Sequence, residues 1–570
     1  MHNSLLSFAF LLTIIVLCQR LAVSERRCRC LSYDKTCWPN ASVWQTFNES
    51  INGRLVSPQP SAAVCNSNSF NVNACDVAKQ EWTNSSWRSN QAGAMQNHNW
   101  ENSSCSVVFN STTCNQGSVP ILAVNATLPE HVQATMQFVN TYNLRLVIKT
   151  TGHDYLGRST AAGAFLLWLH HMKNLTLLDK WTSCTGENIS NVIRVGAGVQ
   201  WGEVYNWLAT YNLIAIGGAS STVGATGGFL QGGGHGPLTR WQGMAADQIL
   251  EFDVILVNGR RETVNSCQNF DLFWALRGGG GGTFAVVLSV VLRTYPSPSV
   301  IGSFQFISPL NDIRYASFVH HFIHFLPKLG DAGWAGYFYL TPYTIEFPKF
   351  VDFFRIVLES SNPTGENVIL GSRLIPETIV RNQAQQIADI FLQVKDANNS
   401  FLIGHLVAGD RVANTTQNNS INPAWRNALL HMVYAQSWSD VTSREDQEKL
   451  AKLVTEKVKL LQTISGGSQS GAYMNEADPN EIDWQQKFFG TKELYNQLKT
   501  IKNSVDPNGI LICKRCVGSD DWSEDLNCPI SNANKLYSFV LFNVMGIISI
   551  YVILYEFSFF YVFLSQNAMR

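Results

Sequence analysis

One glycine-containing turn carries the residues with the clearest chemical potential in this chain. Residues 147–159 read VIKTTGHDYLGRS. Leu146, Val147 and Ile148 form an apolar run that predicts a short buried strand, and the Thr-Thr-Gly after it predicts a tight turn. A turn without bulky side chains lets backbone N–H groups approach an anionic or carbonyl-rich ligand closely. His153 would lie at the edge of that ligand, and a hydrogen-bonded loop histidine is the simpler alternative.

Three further segments carry related patterns. They are residues 217–236 (GGASSTVGATGGFLQGGGHG), 271–284 (DLFWALRGGGGGTF) and 473–478 (YMNEAD). Neither glycine run contains the GxxxxGKS or GxxxxGKT pattern of a phosphate-binding lysine loop, and residues 196–198 (GAG) are not completed to GxGxxG. A flexible linker is disfavoured, because the glycines are interleaved with Val, Phe, Leu and Trp. The segments therefore predict a long ligand held across several glycine-rich turns.

In this order, the four motifs resemble those of secreted fungal FAD-linked oxidases. These belong to the vanillyl-alcohol oxidase and p-cresol methylhydroxylase (PCMH) superfamily, in its berberine-bridge-enzyme-like branch, and the resemblance covers about residues 116–522. It implies an α+β fold, with a two-subdomain PCMH-type FAD-binding fold and an antiparallel-sheet substrate domain covered by helices. It also implies that His153 matches the histidine bonded covalently to the 8α carbon of the flavin. Such a bond makes the ring a better electron acceptor and prevents loss of the cofactor outside the cell.

The resemblance implies further residues around FAD. The cofactor-binding positions that follow from it are Thr151, Gly152, His153, Asp154, Gly157, Arg158, Ser159, Ser220, Thr222, Val223, Gly224, Gly227, Gly228, Gly232, Gly233, His235 and Asn475. Many relatives have a second tether through a cysteine in a Gly-x-Cys-Pro-Thr-x-Gly segment, but residues 218–224 read GASSTVG here. Ser220 stands in the cysteine's place, and a hydroxyl cannot form the thioether. The prediction is a single covalent bond through His153. Relatives with two bonds to the flavin have a more open pocket, so the resemblance does not imply a bulky substrate here.

Tyr473 matches the position where many relatives place a catalytic tyrosine. The flavin takes hydride from the donor carbon, and the adjacent hydroxyl proton must be withdrawn at nearly the same moment. A phenol titrates near a pKa of about 10, so Tyr473 would need a cationic or hydrogen-bonding neighbour to act at neutral pH. The alternative is a tyrosine that only packs on the flavin. His235 would line the pocket or contact the flavin, and a plain loop role is the alternative for it.

The resulting hypothesis is an FAD-dependent oxidase that takes hydride from a CH–OH or related C–H donor. The donor would be an alcohol or an intermediate of secondary metabolism, and O2 would be the acceptor, giving hydrogen peroxide. A carbohydrate oxidase of the same fold, a catalytically inactive flavin-fold glycoprotein and a structural surface glycoprotein are the alternatives. The expected partners are a small-molecule substrate and O2, and the oligomeric state stays open.

Composition and termini indicate a secreted protein. The 570 residues carry a formal net charge of −1 and no dense run of Lys or Arg, which argues against nucleic-acid binding. An apolar run at residues 5–17 and a small-x-small site at residues 22–24 predict a signal peptide over residues 1–24. The positively charged residues that usually precede the apolar run of a signal peptide are missing here. N-glycosylation sequons, which fit a secreted glycoprotein, begin at Asn40, Asn48, Asn84, Asn102, Asn110, Asn125, Asn174, Asn188, Asn398, Asn414 and Asn418.

The cysteines fit the same compartment. Of the 13 cysteines, Cys18 lies in the predicted signal peptide, so an even number remains for disulfides whose pairing the sequence does not show. Residues 513–516 (CKRC) have redox or zinc-like spacing. No second CxxC and no His pair completes a metal site, so a structural disulfide is predicted there and no metal ion is expected.

Changes in composition predict how the chain is organised. Residues 25–115 would be a Cys/Asn-rich N-terminal arm, residues 116–298 the FAD-binding domain, residues 299–465 the substrate-binding domain and residues 466–525 a berberine-bridge-like C-terminal segment. Periodicity predicts strands at 145–149, 164–169, 191–195 and 250–257, and helices at 132–142, 203–211, 382–392, 444–461 and 483–505.

The C-terminal tail is apolar and aromatic over residues 536–564, which is long enough to span a membrane. A transmembrane anchor, a removed anchor-attachment signal and an extension without a role in the fold are the three interpretations. Membrane contact is slightly preferred. The predicted location is therefore secreted or extracellular-facing, with anchoring by the tail left open.

Overall fold

Three larger β-sheets and one two-stranded sheet organise the part of the chain that the computed structural model describes, which is residues 26–66, 69–107, 114–300, 305–307, 311–340, 345–347, 364–394 and 400–530. One unit spans residues 29–519, and the described residues of a small second unit are 26–28 and 520–530. Within the small unit, Cys28 is disulfide-bonded to Cys528.

The first part of the large unit, residues 29–296, holds two larger sheets and one two-stranded sheet. Its helices are α1 (Ala41–Ser50), α2 (Val72–Gln80), α3 (Ser85–Ser89), α4 (Pro129–Tyr142), α5 (Trp201–Ala209), α6 (Gly228–Gln231), α7 (Thr239–Gln242) and α8 (Phe270–Leu276). Its strands are β1 (Leu55–Val56), β2 (Leu122–Asn125), β3 (Leu146–Lys149), β4 (Phe165–Trp168), β5 (Leu175–Thr182), β6 (Asn188–Gly196), β7 (Leu213–Ile214), β8 (Ile249–Ile255), β9 (Arg261–Asn265), β10 (Val286–Arg293) and β11 (Tyr295–Pro296).

The strands of the first part pair in three groups. Sheet A has the order β1-β2-β4-β3, with β2, β3 and β4 parallel. All four residues of β4 are buried, as expected for a central parallel strand covered on both faces. Sheet B is antiparallel with the order β5-β6-β10-β8-β9, and β7 pairs separately with β11. Helix α4 joins β2 to β3 and begins with Pro129, whose fixed φ suits the first helical turn.

The second part, residues 305–464, is a sheet covered by helices. Its strands are β12 (Gln305–Ile307), β13 (Gly336–Leu340), β14 (Ile345–Phe347), β15 (Asn367–Pro376), β16 (Ser400–Leu406) and β17 (Ala428–Trp438). Its helices are α9 (Asp312–Asp331), α10 (Glu377–Asn382), α11 (Ala384–Val394), α12 (Ala424–Asn427) and α13 (Arg444–Thr463). These strands form sheet C, which is antiparallel with the order β12-β14-β13-β16-β17-β15.

Alternation along sheet C separates its two faces, because successive side chains of a strand point in opposite directions. Phe338, Leu402 and Tyr434 belong to the core that packs against α9, α11 and α13. Their strand neighbours Tyr337 and Ile403 line a cavity on the opposite face. Sheet C therefore presents one face to its helices and the other to a cavity.

The C-terminal segment of the large unit packs back on its first part. Helices α14 (Trp484–Phe489) and α15 (Lys492–Val505) are separated at Gly490, whose φ of +95° ends α14. Lys502 donates a hydrogen bond from Nζ to Thr283 O at 2.7 Å and also pairs with Asp506. Because this lysine is buried, it ties α15 to the turn before β10.

The segment between β1 and β2 supports the turn that carries His153. Lys149, the last residue of β3, donates hydrogen bonds from Nζ to three carbonyl oxygens of residues 91–94, at 2.9, 2.5 and 2.8 Å. The backbone N–H of Gln96 donates to Gly152 O at 3.1 Å. The turn after β3 is therefore held against this segment by hydrogen bonds on both sides.

A buried ion pair fixes the same segment. Arg88 and Glu101 are both fully buried, and Arg88 Nη2 lies 2.9 Å from Glu101 Oε1. Glu101 also accepts hydrogen bonds from the backbone N–H groups of Ser61 and Met95, at 2.9 and 3.2 Å. Burial would raise the pKa of the Glu101 carboxyl, but His98, Arg88 and Ser61 together lower it to about 2.

Most of the predicted elements are confirmed. The helices at 132–142, 203–211, 382–392 and 444–461 and the four strands occur with ends shifted by a few residues, whereas 483–505 is two helices instead of one. The α+β class is confirmed, and the disulfide predicted at residues 513–516 is present. The remaining pairs of the large unit are Cys30–Cys37, Cys65–Cys75, Cys105–Cys114 and Cys184–Cys267.

Two predictions about the termini fall on residues that the structure does not describe. These are the signal peptide over residues 1–24 and the apolar tail over residues 536–564. Among the described residues, no helix has both the length and the apolar character needed to cross a membrane.

Glu101→Gln should destabilise the protein, because it leaves the Arg88 guanidinium buried without its counter-charge. The expected cost is about 3–5 kcal/mol at neutral pH. The folded-state pKa lies below the ordinary value of 4.5, so the stabilisation is present above about pH 4.5 and is lost as pH falls toward 2. The melting temperature of the wild type should fall over this window, and that of Glu101→Gln should fall less.

The matched control is Glu49→Gln on the exposed side of α1, which should change stability by no more than about 0.5 kcal/mol. Equal melting temperatures for Glu101→Gln and Glu49→Gln would contradict the structural role of the buried pair.

Candidate active site

A cavity of about 580 Å³ lies between the glycine-rich turns of the first part and sheet C. Most of the site residues predicted from the sequence line this cavity: Gly152, His153, Asp154, Arg158, Ser159, Ser220, Val223, Gly227, Gly228, His235, Tyr473 and Asn475. The other nominated positions do not line the cavity: Thr151, Gly157, Thr222, Gly224, Gly232 and Gly233. One cavity thus brings together residues from all four sequence motifs.

His153 stands in this wall with one ring nitrogen engaged. Its Nε2 lies 2.7 Å from Thr222 Oγ1. Burial lowers the pKa of the imidazole to about 4, so the ring is neutral at neutral pH. Gly152 before it has a φ of +84°, and a Cβ there would lie 3.1 Å from Ala94 O. The turn therefore needs glycine next to His153, and Thr222 fixes the orientation of the ring.

Asp154 and Arg158 hold the rest of this turn. The Asp154 carboxylate accepts hydrogen bonds from the backbone N–H groups of Leu156 and Ser159, at 3.1 and 2.6 Å. Arg158 donates from Nε to Lys514 O and from Nη1 to a further carbonyl oxygen, at 2.9 and 3.1 Å. Its Nη2 is buried without a hydrogen-bond partner among the described residues. Asp154 therefore shapes the turn, and Arg158 keeps one guanidinium nitrogen available in the cavity wall.

The long glycine run closes on itself at its two ends. A Cβ at Gly236 would lie 1.9 Å from the carbonyl oxygen of Gly217. A second close approach joins the two glycine runs, because a Cβ at Gly281 would lie 2.7 Å from Gly228 Cα. Real Cβ atoms do not approach backbone atoms so closely, so these positions exclude side chains. The result is a stretch of wall made of bare backbone.

Three of the glycines that do not line the cavity are tightly packed. A Cβ at Gly157 would lie 2.5 Å from the Trp100 ring, and one at Gly224 would lie 2.7 Å from Thr150 Oγ1. At Gly232 the obstructing atom is the side-chain nitrogen of Asn475, at 2.6 Å. The sequence identified these glycines, and the structure shows which neighbouring atoms leave no room for a side chain at each of them.

Tyr473 lines the same cavity, next to the glycine run. Its hydroxyl accepts a hydrogen bond from Asn475 Nδ2 at 2.8 Å and another from the backbone N–H of Gly234. Asn475 also donates to Gly228 O at 2.8 Å. Burial, together with the negative charge of Glu476, raises the pKa of the Tyr473 phenol. Tyr473 therefore has the hydrogen-bonding neighbours expected from the sequence. Its strongest charged neighbour is the anion Glu476, which favours the protonated phenol.

Three side chains at this end of the cavity were missed in the sequence. Glu476 Oε1 lies 3.1 Å from Nε2 of His235, and Glu476 Oε2 lies 3.7 Å from Nδ1 of His431. His405 Nδ1 lies 2.9 Å from His431 Nδ1. Glu476 stood inside a quoted motif, but His405 and His431 are single histidines within strands. Nothing in their spacing along the sequence marks them as neighbours.

Comparisons with known proteins agree with this fold and site. A family model described as FAD binding domain matches residues 120–265, and one described as berberine and berberine like matches residues 472–511. An FAD-linked oxidoreductase of Arthroderma benhamiae is 37% identical over 88% of this chain and 96% of its own length. The chain therefore belongs to the FAD-linked oxidoreductases with berberine-like C-terminal segments, and it is an oxidoreductase with an FAD-binding domain.

Solved structures show the same fold. The VAO-type flavoprotein MtVAO713 of Myceliophthora thermophila C1 superposes with a TM-score of 0.81 at 28% identity, covering 89% of this chain and 100% of that chain. The glucooligosaccharide oxidase of Acremonium strictum superposes with a TM-score of 0.58 at 20% identity, covering 70% of this chain and 91% of that one. The resemblance inferred from the four motifs is confirmed.

Gly236→Ala should disrupt the closure of the glycine run, because the added Cβ meets a backbone oxygen that cannot rotate away. We expect a loss of about 2 kcal/mol or more in stability and a lower flavin content. Gly336→Ala on β13 is the control, since nothing lies within 4 Å of its added Cβ. Thermal unfolding and the ratio of flavin to protein absorbance measure both effects. Wild-type values for Gly236→Ala would refute the closure.

Proposed function

We propose that this protein is a secreted oxidase whose FAD is bonded once, through His153, and accepts hydride from the CH–OH group of an alcohol or an intermediate of secondary metabolism. O2 would be the final acceptor and hydrogen peroxide the second product. The observation that carries the proposal is the position of a neutral, oriented His153 in the wall of a cavity that also holds Tyr473.

Attachment through His153 is supported by its environment. A neutral imidazole has a lone pair with which to form a bond to carbon, and Thr222 engages Nε2, so Nδ1 is the attaching atom in this proposal. The related glucooligosaccharide oxidase is described as carrying 6-S-cysteinyl, 8α-N1-histidyl FAD. Ser220 lines the cavity where the sequence resemblance implied a second tether through cysteine, and its hydroxyl supports the proposal of one bond only.

The remaining walls fit a flavin dinucleotide. The bare backbone at Gly227, Gly228 and Gly281 admits a flat ring or a chain of phosphates without steric conflict. Arg158 Nη2, buried without a partner in the described part of the chain, suits an anionic group such as the pyrophosphate. When bound, FAD would supply the two-electron acceptor that these side chains lack.

Sheet C supports an apolar donor. Its contribution to the cavity consists mainly of aliphatic and aromatic side chains: Tyr337, Tyr339, Val368, Leu370, Phe401, Ile403, Val433 and Ala435. A sugar would bury many hydroxyl groups against this surface without hydrogen-bond partners, which is costly. An alcohol with a hydrophobic body fits better, so the carbohydrate alternative is disfavoured.

Tyr473 would orient the donor. Its oxygen already accepts hydrogen bonds from Asn475 and from the backbone of Gly234, so its own O–H can donate to the donor's oxygen. As hydride leaves the donor's carbon, the hydroxyl proton would pass to His235, whose Nε2 lies 3.1 Å from Glu476 Oε1 and whose Nδ1 is buried without a hydrogen-bond partner among the described residues. This contact would hold the donor's carbon toward the flavin side of the cavity. A residue in this role touches the substrate directly.

Secretion is part of the same proposal. The described cysteines are all paired in disulfides, which supports an oxidising compartment. Together with the signal-like start and the sequons, the disulfides support a secreted glycoprotein.

His153→Ala should abolish covalent flavin while some dissociable FAD remains. Acid-precipitated wild-type protein should stay yellow, and its peptide containing His153 should carry the mass of the flavin. The control is His171→Ala, which removes a histidine outside the cavity that contacts Asn125 and should leave the bond intact. Covalent flavin in His153→Ala, or a colourless wild type, would exclude the assignment.

Tyr473→Phe should slow flavin reduction by about 10²-fold while flavin retention is unchanged, because one hydrogen bond to the donor's oxygen is lost. Anaerobic bleaching of the flavin by a panel of alcohols, phenolic metabolites and sugars measures the rate and identifies the donor class. Tyr295→Phe, which removes a hydroxyl bonded to Gln248 away from the cavity, is the control. Equal bleaching rates for wild type and Tyr473→Phe would remove Tyr473 from the reaction.

A further inference from the structure

Three histidines and one glutamate converge at the end of the cavity near Tyr473. His235 ends the long glycine run, Glu476 follows Tyr473 by three residues, and His405 and His431 are direct cross-strand partners on β16 and β17. One ligand atom from each, either a ring nitrogen or a carboxylate oxygen, lies within 4.8 Å of all the others. Four separate parts of the chain therefore deliver ligand atoms to one small volume.

The spacing of these atoms fits a metal ion. Zinc bonds nitrogen and oxygen at about 2.0–2.2 Å, so neighbouring ligand atoms of a tetrahedral site lie about 3.3–3.6 Å apart. His405 Nδ1 lies 2.9 Å from His431 Nδ1. The two oxygens of Glu476 lie 3.1 Å from His235 Nε2 (Oε1) and 3.7 Å from His431 Nδ1 (Oε2). Small side-chain rotations would bring all four atoms onto one ion.

The charge and burial of the cluster also favour a bound metal ion. The three histidines are 7%, 6% and 0% exposed, and aromatic rings surround them, with Trp425 at 5.6 Å from His235 and 5.3 Å from His431 between ring centroids. The ion-pair partners of Glu476 are imidazoles, with no Lys or Arg pairing with it among the described residues. The Glu476 side chain is 21% exposed, and a largely buried carboxylate is costly unless a cation or several hydrogen bonds compensate it. A divalent ion would supply that compensation.

We propose that His235, His405, His431 and Glu476 form a binding site for one divalent transition-metal ion, Zn²⁺ or Cu²⁺. Imidazole and carboxylate ligands suit both ions. His235, His405 and Glu476 line the cavity, and the ring of His235 lies 5.1 Å from that of Tyr473. An open coordination position would therefore face the space beside Tyr473. If the proposed function holds, the donor's hydroxyl oxygen would occupy that position, where the ion would act as a Lewis acid.

The alternative is a hydrogen-bonded His–Glu cluster that binds no metal. The metal content of full-length protein without a polyhistidine tag distinguishes the metal site from this metal-free cluster. The protein is treated with chelator, loaded separately with ZnSO4 or CuSO4, freed of excess salt by gel filtration and measured by elemental mass spectrometry. One ion per chain is expected, and the copper form should show nitrogen couplings in its electron paramagnetic resonance spectrum.

Two variants and a control complete the test. His405→Gln and Glu476→Gln should each lower metal affinity by about tenfold or more, and Glu476 is the safer change because its side chain is partly exposed on a loop. His321→Gln, on the exposed face of α9, should bind metal like the wild type. Melting temperatures show that each variant is folded.

Two results would overturn the proposal. One is a folded wild type that retains less than about a tenth of an ion per chain after loading with either metal. The other is unchanged metal content in both folded variants. Flavin absorbance of the same samples tests the proposed function separately, since a colourless protein that binds metal contradicts the flavin assignment and leaves the metal site standing.

Discussion

The close backbone contact between the two ends of residues 217–236 is the constraint on which the site depends. Gly217 and Gly236 meet at a distance that admits no side chain, and the loop between them is thereby closed. This closure brings Thr222 to His153 on one side and His235 to Glu476 on the other. Backbone hydrogen bonds from Trp201 N to Val223 O and from Ala245 N to Gly234 O hold the same loop, so the closure and these bonds together position both pairs.

The cavity also depends on regular alternation in sheet C. Because side chains alternate between faces, each strand gives one row to the helices and one row to the cavity. Phe338 and Leu402 belong to the helix-covered core, and Tyr337 and Ile403 belong to the cavity. The direct pairing of His405 with His431 follows from the same register. A register shift by one residue would turn the rows over and place the imidazoles among the helices.

Local structure was largely predictable from the sequence. The 3.6-residue pattern of α4 and the apolar run of β4 gave the correct type of element because each is decided by its own residues and their burial. The single helix predicted over residues 483–505 was wrong, since Gly490 adopts a positive φ that ends α14. The disulfide at residues 513–516 was predictable from its short spacing, whereas the pairing of Cys184 with Cys267 across 83 residues was not.

By itself, the sequence determined the glycine-rich turns, the candidate His153 and Tyr473, and membership of a flavoprotein family, because motifs of this kind are local and ordered. The tertiary structure alone decided which side chains meet. His235 and Glu476 are 241 residues apart, and His405 and His431 lie on separate strands. Their convergence follows from loop closure and strand register, which are properties of the folded chain that no short stretch of residues encodes.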